Sequence, residues 1–376
     1  MIRKRHTPAL QSTTVLVLFF LLLSYISLEN AASILSRKLQ EQFAFSFWEN
    51  ERMKDEFARF FGLKRPETGK PLFMPPPILA DYAEALVYKD IPYGKKKGQT
   101  LDILVPLRLR SDEKLPVFVF VHGGTWIGGS KDEVLYSHFA REVLKAGYLF
   151  VSLDYRVYPK VRFSGILGDI RQALLWLFAH IEEYGGRKKF VLCGHSAGAH
   201  LVALATVQHG VLPEDVLRSI TQVFLLSGPY DLPAYDETLD IPFKNLIRQV
   251  FFDLFEGRNN LRELSPVFQV EHTHISYVLV VGERDEITPK EQSEKLFAKL
   301  LEKNNTASLF VVPNVGHGGT LFVLNPDFDR ERVFAPIFRT LLEQNTETSW
   351  YNRGESWRGS TGTGTSYCHF LSSLPG

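Results

Sequence analysis

The pentapeptide at residues 194–198, Gly-His-Ser-Ala-Gly, constrains the fold of this chain more than any other feature. An apolar run ending at Cys193 precedes it, and a run of small and apolar residues that favours a helix follows it. A serine between such a strand and such a helix must take a strained turn, and the flanking glycines let the two elements approach closely. The pattern predicts that Ser196 projects, exposed, from this turn at a helix N-terminus.

A second glycine motif, His-Gly-Gly-Thr-Trp at residues 122–126, directly follows another apolar run. Glycines at the end of a buried strand can leave backbone N–H groups free to stabilise the negative oxygen of an attacked carbonyl. We therefore predict that Gly123 and Gly124 supply such donors, together with the amide of Ala197. The alternative is a tight turn that only leaves the strand.

A serine hydroxyl needs a histidine as base and a carboxylate to orient that histidine. Asp285 and His317 each follow an apolar run that predicts a parallel strand, and the other histidine beyond Asp285, His369, lies in a polar C-terminal segment. His317 is therefore the predicted base and Asp285 the predicted acid. Asp231 is the alternative acid, and the alternative role for Asp285 is to begin a helix near Pro289.

These motifs resemble those of the α/β-hydrolase superfamily, in particular carboxylesterases with a His-Gly-Gly-x-Trp motif. The chain is most similar to the isoprenylcysteine methylesterase and arylformamidase branch, over about residues 85 to 340. The matching motifs are residues 122–126, 154–156, 194–200 and 316–317.

The resemblance implies a role for each motif residue. The implied nucleophile, acid and base are Ser196, Asp285 and His317, and the implied oxyanion donors are Gly123, Gly124 and Ala197. Many lipase-like relatives carry a third glycine where this chain has Thr125, so its oxyanion loop is expected to be narrower. The resemblance implies no cofactor.

The predicted fold class is α/β: an α/β-hydrolase fold with a mostly parallel eight-stranded sheet, helices on both faces and a helical lid insertion. Continuous apolar runs are typical of strands that are covered on both faces. The predicted strands are 84–92, 100–105, 117–121, 149–153, 190–193, 223–227, 276–282 and 308–312.

The insertion at about residues 231–274 has apolar residues at helical spacing, among them Phe251 and Phe255. We expect it to form an apolar lid over the active site, which would indicate an apolar substrate. Packing of these aromatic residues within a core is the alternative. His122 and His200 are expected to be structural side chains beside the site.

Residues 1–34 are predicted to be a signal anchor or a cleaved signal peptide. Basic residues 3–5 precede an uncharged stretch over residues 7–28, long enough to span a membrane, and small residues at 31–33 would suit cleavage. This charge order predicts membrane association in the endoplasmic reticulum or secretory pathway, with the catalytic domain lumenal or extracellular, or secretion after cleavage. Asn304 then begins a glycosylation sequon, or is simply an exposed polar turn.

The remaining domains are separated by changes in composition. Residues 35–80 are predicted to form an aromatic-rich helical extension that caps the site, lies on a membrane or packs on the main domain. Residues 81–343 form the predicted catalytic domain. Residues 344–376, rich in Gly, Ser and Thr, are predicted to be a disordered tail.

The composition limits the classes of binding partner that we expect for this chain. With 43 basic and 42 acidic side chains, the net charge of +1 predicts no nucleic-acid partner. The sequence shows no phosphate-binding loop and no metal-ligand cluster, and its two cysteines predict no disulfide framework.

We therefore predict a serine hydrolase that acts on a small-molecule or lipid-like ester with a hydrophobic portion, such as a prenylcysteine methyl ester. A formamidase acting on a formylkynurenine-like amide is the alternative from the same superfamily. A hydrolase fold that has lost catalysis and serves as a binding module is the alternative from another class. The sequence leaves the oligomeric state open.

Overall fold

The computed structural model describes residues 85–106, 114–132, 138–238, 244–321 and 370–372. Within them the strands form one sheet in the order β1-β2-β4-β3-β5-β6-β7-β8-β9. The strands are β1 (Ala85–Pro92), β2 (Thr100–Pro106), β3 (Leu115–Val121), β4 (Leu149–Leu153), β5 (Gly186–His195), β6 (Ile220–Leu226), β7 (Ser276–Gly282), β8 (Ala307–Val312) and β9 (Phe370–Ser372). Each of the eight predicted strands is present, with β5 longer than predicted.

Seven α-helices in the described ranges connect and flank these strands. They are α1 (His138–Lys145), α2 (Phe163–His180), α3 (Ala197–Val207), α4 (Glu214–Ser219), α5 (Leu232–Thr238), α6 (Lys244–Leu254) and α7 (Lys290–Glu302). Short 3-10 helices lie at Ile181–Tyr184, Arg258–Asn260, Pro266–Phe268 and His317–Leu321.

The sheet is parallel from β4 through β3, β5, β6 and β7 to β8, and it is antiparallel at both ends. Side chains alternate between the two faces of a strand. Along β3, Val117 and Val119 join one apolar core while Phe118 and Phe120 join the other. Both faces are therefore buried, which explains the unbroken apolar run and confirms the predicted α/β-hydrolase fold class.

The register brings the carboxyl ends of the parallel strands together. Val121 of β3 pairs with Gly194 of β5, and His195 pairs with Leu226 of β6. Loops that leave these strand ends converge on one edge of the sheet, where open α/β sheets bind ligands. The predicted site residues lie on these loops and at the adjacent N-terminus of α3.

Several predicted segments lie outside the described residues: 1–34, 35–80 and most of 344–376. Within the predicted disordered tail, residues 370–372 instead pair antiparallel with β8 as β9. Without β9, β8 would be an edge strand with unpaired backbone groups, and such an edge accepts a further strand. In the described part of the chain, no helix combines the length and apolar character needed to cross a membrane.

Candidate active site

Ser196 lies on the predicted sharp turn between β5 and α3. Its φ of 54° and ψ of −118° are outside the ordinary regions for a residue with a side chain. A Cβ on Gly194 would lie 2.4 Å from the Gly198 backbone, and one on Gly198 would lie 2.2 Å from the Val121 carbonyl oxygen. These contacts explain why only glycine fits beside the serine.

The serine residue as a whole is buried, with 6% of its surface exposed. The glycine motif that follows β3 approaches it closely, since a Cβ on Gly123 would lie 3.1 Å from the Ser196 Cβ. The sequence gives no measure of this distance, because the two motifs meet only when β3 and β5 pair.

Asp285 and His317, on the loops after β7 and β8, are brought together. The His317 Nδ1 lies 3.0 Å from each carboxylate oxygen of Asp285, and both residues are buried. Burial of Asp285 would raise its pKa, but the hydrogen bond and charge of His317 and the backbone amide of Thr288 together lower that pKa below the ordinary value. With Nδ1 bonded to the carboxylate, the Nε2 of His317 is the ring nitrogen left for proton transfer.

The hydroxyl group of Thr288, which was not predicted from the sequence, contacts both members of this pair. The Thr288 Oγ1 lies 2.9 Å from both Asp285 Oδ2 and the carbonyl oxygen of Ser227, and the Thr288 amide donates to Asp285 Oδ1 at 2.8 Å. These bonds lie in the turn before α7, whose N-cap, Pro289, has no side-chain cap hydrogen bond. Asp285 therefore shapes this turn and holds His317 but does not cap the helix.

The alternative acid, Asp231, has a different role. Its carboxylate pairs with Lys295 at 3.0 Å and accepts a hydrogen bond from the Ala234 amide at 3.1 Å, in the first turn of α5. It therefore acts as a helix cap, while Asp285 is the carboxylate bonded to His317.

The glycine motif after β3 is held by two side chains. The Nδ1 of His122 donates to the Gly123 carbonyl oxygen at 2.7 Å, and the Tyr155 hydroxyl donates to the His122 carbonyl oxygen at 2.9 Å. In a trans peptide the N–H points away from the C=O. These two bonds therefore fix the directions of the Gly123 and Gly124 N–H groups as well.

The close turn of this loop also requires glycine. Gly124 has a φ of +106° and Gly129 a φ of +95°, and a Cβ on Gly129 would lie 2.3 Å from the Gly123 carbonyl oxygen. Thr125 and Trp126 likewise have positive φ, of 52° and 62°. Two residues with side chains therefore take the left-handed backbone that glycine adopts more readily.

Ala197, which directly follows Ser196, is the first residue of α3. The Ser196 carbonyl already accepts a hydrogen bond from the His200 amide at 3.1 Å, so the helix begins directly after the serine. An amide in the first turn has no acceptor within its own helix. The Ala197 N–H therefore has no hydrogen-bond acceptor within α3.

The insertion packs on the glycine motif. The Trp126 ring lies 5.0 Å from Phe255 and 5.3 Å from His200 between centroids, and Asp253 of α6 bonds to Arg162 at 2.6 Å. Burial lowers the pKa of His200 to about 4, so this ring is neutral. These buried aromatic residues pack in one core with Trp126 of the glycine motif, and the lid stays a prediction.

Two further features concern ligands and reactive groups. In the described residues, no three His, Cys, Asp or Glu side chains are grouped to hold a metal ion. Cys193 is buried in β5, and burial raises the pKa of its thiol, which therefore behaves as a small apolar residue.

Comparison with known proteins identifies the family. The sequence profile of the BD-FAE family matches residues 101–300. The chain is 28% identical over 236 residues to esterase LipC of Mycobacterium tuberculosis, covering 60% of this chain and 58% of that protein. It is 30% identical to a kynurenine formamidase of Salmo salar, covering 61% and 74%, and 27% identical to a protein of Oryza sativa named probable isoprenylcysteine alpha-carbonyl methylesterase, covering 70% and 64%.

Solved structures agree on the fold. An esterase B from Lactobacillus rhamnosis has a TM-score of 0.59 at 18% identity, covering 82% of this chain and 96% of that one. An esterase from Thermogutta terrifontis has a TM-score of 0.54 at 19% identity, covering 71% and 97%. The alignments span between about half and three quarters of the three curated relatives' lengths. The matched profile, the sheet order and the strand-to-helix serine turn together establish that this chain belongs to the BD-FAE family and has the α/β-hydrolase fold of esterases.

Proposed function

We propose that the protein is a serine hydrolase that cleaves a carboxylic ester through an acyl-enzyme. One observation carries the proposal: the buried Asp285–His317 pair lies at the same sheet edge as the strained Ser196 turn. In the proposal, Ser196 is the nucleophile, His317 the base, and the amides beside the serine the oxyanion site.

In the proposed first step, the Ser196 hydroxyl oxygen bonds to the substrate carbonyl carbon while the Nε2 of His317 takes its proton. The amides of Gly123, Gly124 and Ala197 stabilise the oxyanion that forms. Asp285 keeps the Nδ1 proton of His317 in place and stabilises the charged ring. His317 then gives its proton to the leaving alcohol as the ester bond breaks.

In the second step, a water molecule attacks the acyl carbon and gives one proton to His317. The tetrahedral intermediate collapses, the acid leaves, and His317 returns the proton to the Ser196 oxygen. The enzyme is regenerated, and each cycle consumes one ester and one water molecule.

For the substrate, we propose an ester with a hydrophobic portion. Support comes from the apolar residues at helical spacing in the insertion, which predict a lid that contacts an apolar substrate. The relative named isoprenylcysteine alpha-carbonyl methylesterase favours a prenylcysteine methyl ester within this class. The same proposal includes a role for the insertion, at about residues 231–274, as a lid over the active site.

The second candidate is hydrolysis of an N-formyl arylamine. The alignment with kynurenine formamidase favours it, at 30% identity. The same serine, histidine and oxyanion donors would serve, with His317 protonating a leaving amine instead of an alcohol.

A fluorophosphonate probe tests the reaction class. We expect the folded wild type to be labelled stoichiometrically at Ser196 and Ser196→Ala to lose both labelling and turnover. A folded wild type that resists the probe would overturn the proposal and favour a binding module. Hydrolysis of prenylcysteine methyl ester, formylkynurenine and a short-chain nitrophenyl ester, measured side by side, then separates the two candidates.

We also propose that the N-terminal segment directs the protein into the secretory pathway and associates it with a membrane, with the catalytic domain lumenal or extracellular. Asn304 and Thr306 of the sequon are exposed in the turn after α7, so an oligosaccharide could be attached there. Expression in a eukaryotic cell should give an endoglycosidase-sensitive protein, and Asn304→Gln should remove that mobility shift. A wild type without the shift would count against lumenal exposure.

A further inference from the structure

His195, the residue directly before the candidate nucleophile, is buried at the centre of the site without a role in the chemistry proposed above. Only 6% of its surface is exposed. Its Nε2 lies 3.1 Å from the backbone carbonyl oxygen of His317. A carbonyl oxygen only accepts hydrogen bonds, so Nε2 carries the proton and Nδ1 is the unprotonated nitrogen.

This bond acts on the backbone of His317, whereas Asp285 acts on its ring. The His195 and His317 rings also contact each other, with centroids 4.9 Å apart and planes tilted by 50°. The Thr320 hydroxyl gives the same carbonyl oxygen a second donor at 3.0 Å. The short 3-10 helix that carries His317 is thereby tied to the end of β5.

On its opposite side, His195 contacts the glycine motif. A Cβ on Gly123 would lie 3.0 Å from the His195 Nδ1. One imidazole therefore bridges the loop that supplies oxyanion donors and the loop that supplies the base, and it is covalently joined to the serine between them.

We infer that His195 is a positioning residue, whose Nε2–H bond to the His317 carbonyl sets the distance between the base and the Ser196 turn. The inference rests on the proposed function, because it assigns His195 a task in that reaction. The physical reason is the sensitivity of proton transfer to geometry: a misplacement of about 1 Å can cost about 100-fold in rate.

The electrostatics of the pocket support a role as a neutral donor. Burial, together with a smaller electrostatic effect of His317, lowers the pKa of His195 to about 3. His195 therefore stays neutral at physiological pH and does not compete with His317 for the serine proton.

Two amide substitutions test the inference, because they differ only in reach. Glutamine can place an N–H donor near the position of Nε2, whereas asparagine reaches only as far as Nδ1. We expect His195→Gln to keep kcat within about tenfold of wild type and His195→Asn to lose about 100-fold, with KM little changed in both. His209→Gln, at an exposed histidine after α3, is the matched control and should leave both constants unchanged.

Fluorophosphonate labelling rates are measured beside kcat for each variant. Thermal unfolding of each variant gives the amount of folded protein to which these rates refer. Thr320→Val, which removes the other donor to the same carbonyl, should give a smaller loss of kcat and keeps the test decisive if His195→Asn does not fold. The pH profile of kcat/KM for His195→Gln should match that of wild type, since His195 is neutral throughout.

Equal kcat values for the glutamine and asparagine variants would overturn the inference, as would a fall in Tm with kcat unchanged. Loss of a titration step between pH 5 and 8 in His195→Gln would also overturn it, because His195 would then be a base. A wild type that does not react with the probe would remove the proposed function and this inference with it. If the wild type is active and the His195 variants have the same kcat as the wild type, the inference is overturned but the proposed function is not.

Discussion

The choice between two aspartates shows how much the function of one residue depends on its surroundings. Asp231 and Asp285 both follow buried strands, and both accept hydrogen bonds from backbone amides two or three residues further along the chain. Only Asp285 faces His317, because its strand, β7, lies beside β8 in the sheet. Asp231 follows β6, which lies one strand further from β8, and its carboxylate caps α5 and pairs with Lys295 instead.

The first prediction concerns these two aspartates. Asp285→Asn should lower kcat by about 10,000-fold, because a neutral amide neither fixes the tautomer of His317 nor stabilises its charged form. Asp231→Asn is the matched control and should keep kcat close to wild type with little change in the free energy of unfolding, because asparagine caps a helix about as well as aspartate does. Steady-state kinetics and urea unfolding measure both effects. If Asp231→Asn inactivated the enzyme and Asp285→Asn did not, Asp231 would be the acid instead of Asp285.

At the scale of elements, the site depends on how closely α3 lies against β3. Gly198 is the helical residue that touches this strand, and a Cβ there would lie 2.2 Å from the Val121 carbonyl oxygen and 2.4 Å from that of His122. The helix therefore cannot accept any larger residue at this position without moving away from the glycine motif. The distance between Ala197 and Gly123, the two sides of the proposed oxyanion site, depends on this contact.

The second prediction compares two helical glycines. Gly198→Ala should destabilise the protein by about 1–3 kcal/mol through overpacking and should also reduce kcat, since α3 and the glycine motif separate. Gly168→Ala in α2, where a Cβ would meet nothing within 4 Å, should instead stabilise it by about 1 kcal/mol, because alanine is the better helix former. Denaturant unfolding gives both free energies. Equal effects of the two substitutions would contradict the close contact between α3 and β3.

At the scale of the whole molecule, stability is coupled to pH through three buried histidines. Burial lowers the pKa of His122 to about 4, of His195 to about 3 and of His200 to about 4. Each is neutral in the folded protein, whereas in the unfolded chain it takes up a proton near its ordinary pKa of about 6.5. The unfolded state therefore binds more protons as the pH falls below that value.

The third prediction follows from this difference in proton uptake. The free energy of unfolding should decrease as the pH falls from about 6.5 towards about 4, by up to about 1.4 kcal/mol per pH unit for each histidine. His200→Gln, which keeps a donor for the Leu264 carbonyl, should reduce this slope by about a third. Thermal unfolding measured across this range checks both expectations. A Tm that is constant between pH 6.5 and 5 would show that these histidines are protonated in the folded protein.

The sequence by itself predicted the eight strands, the strand-to-helix turn at Ser196 and the pairing of Asp285 with His317. Local constraints explain this success: runs that are apolar on both faces indicate buried parallel strands, and glycines at fixed spacing beside a serine indicate a turn that excludes any Cβ. Chain order along a parallel sheet then places the loops after neighbouring strands at one edge.

Only the tertiary structure decided which groups contact one another across those loops. In the folded protein, the His195 ring contacts the His317 ring and Ser196 is buried close to Gly123. Residues 370–372 pair with β8. These contacts join residues far apart in the chain, and their distances depend on the packing of α3 against the sheet and on strand register. Composition and local spacing carry no record of such distances, because they arise only when the strands have paired and the core has packed.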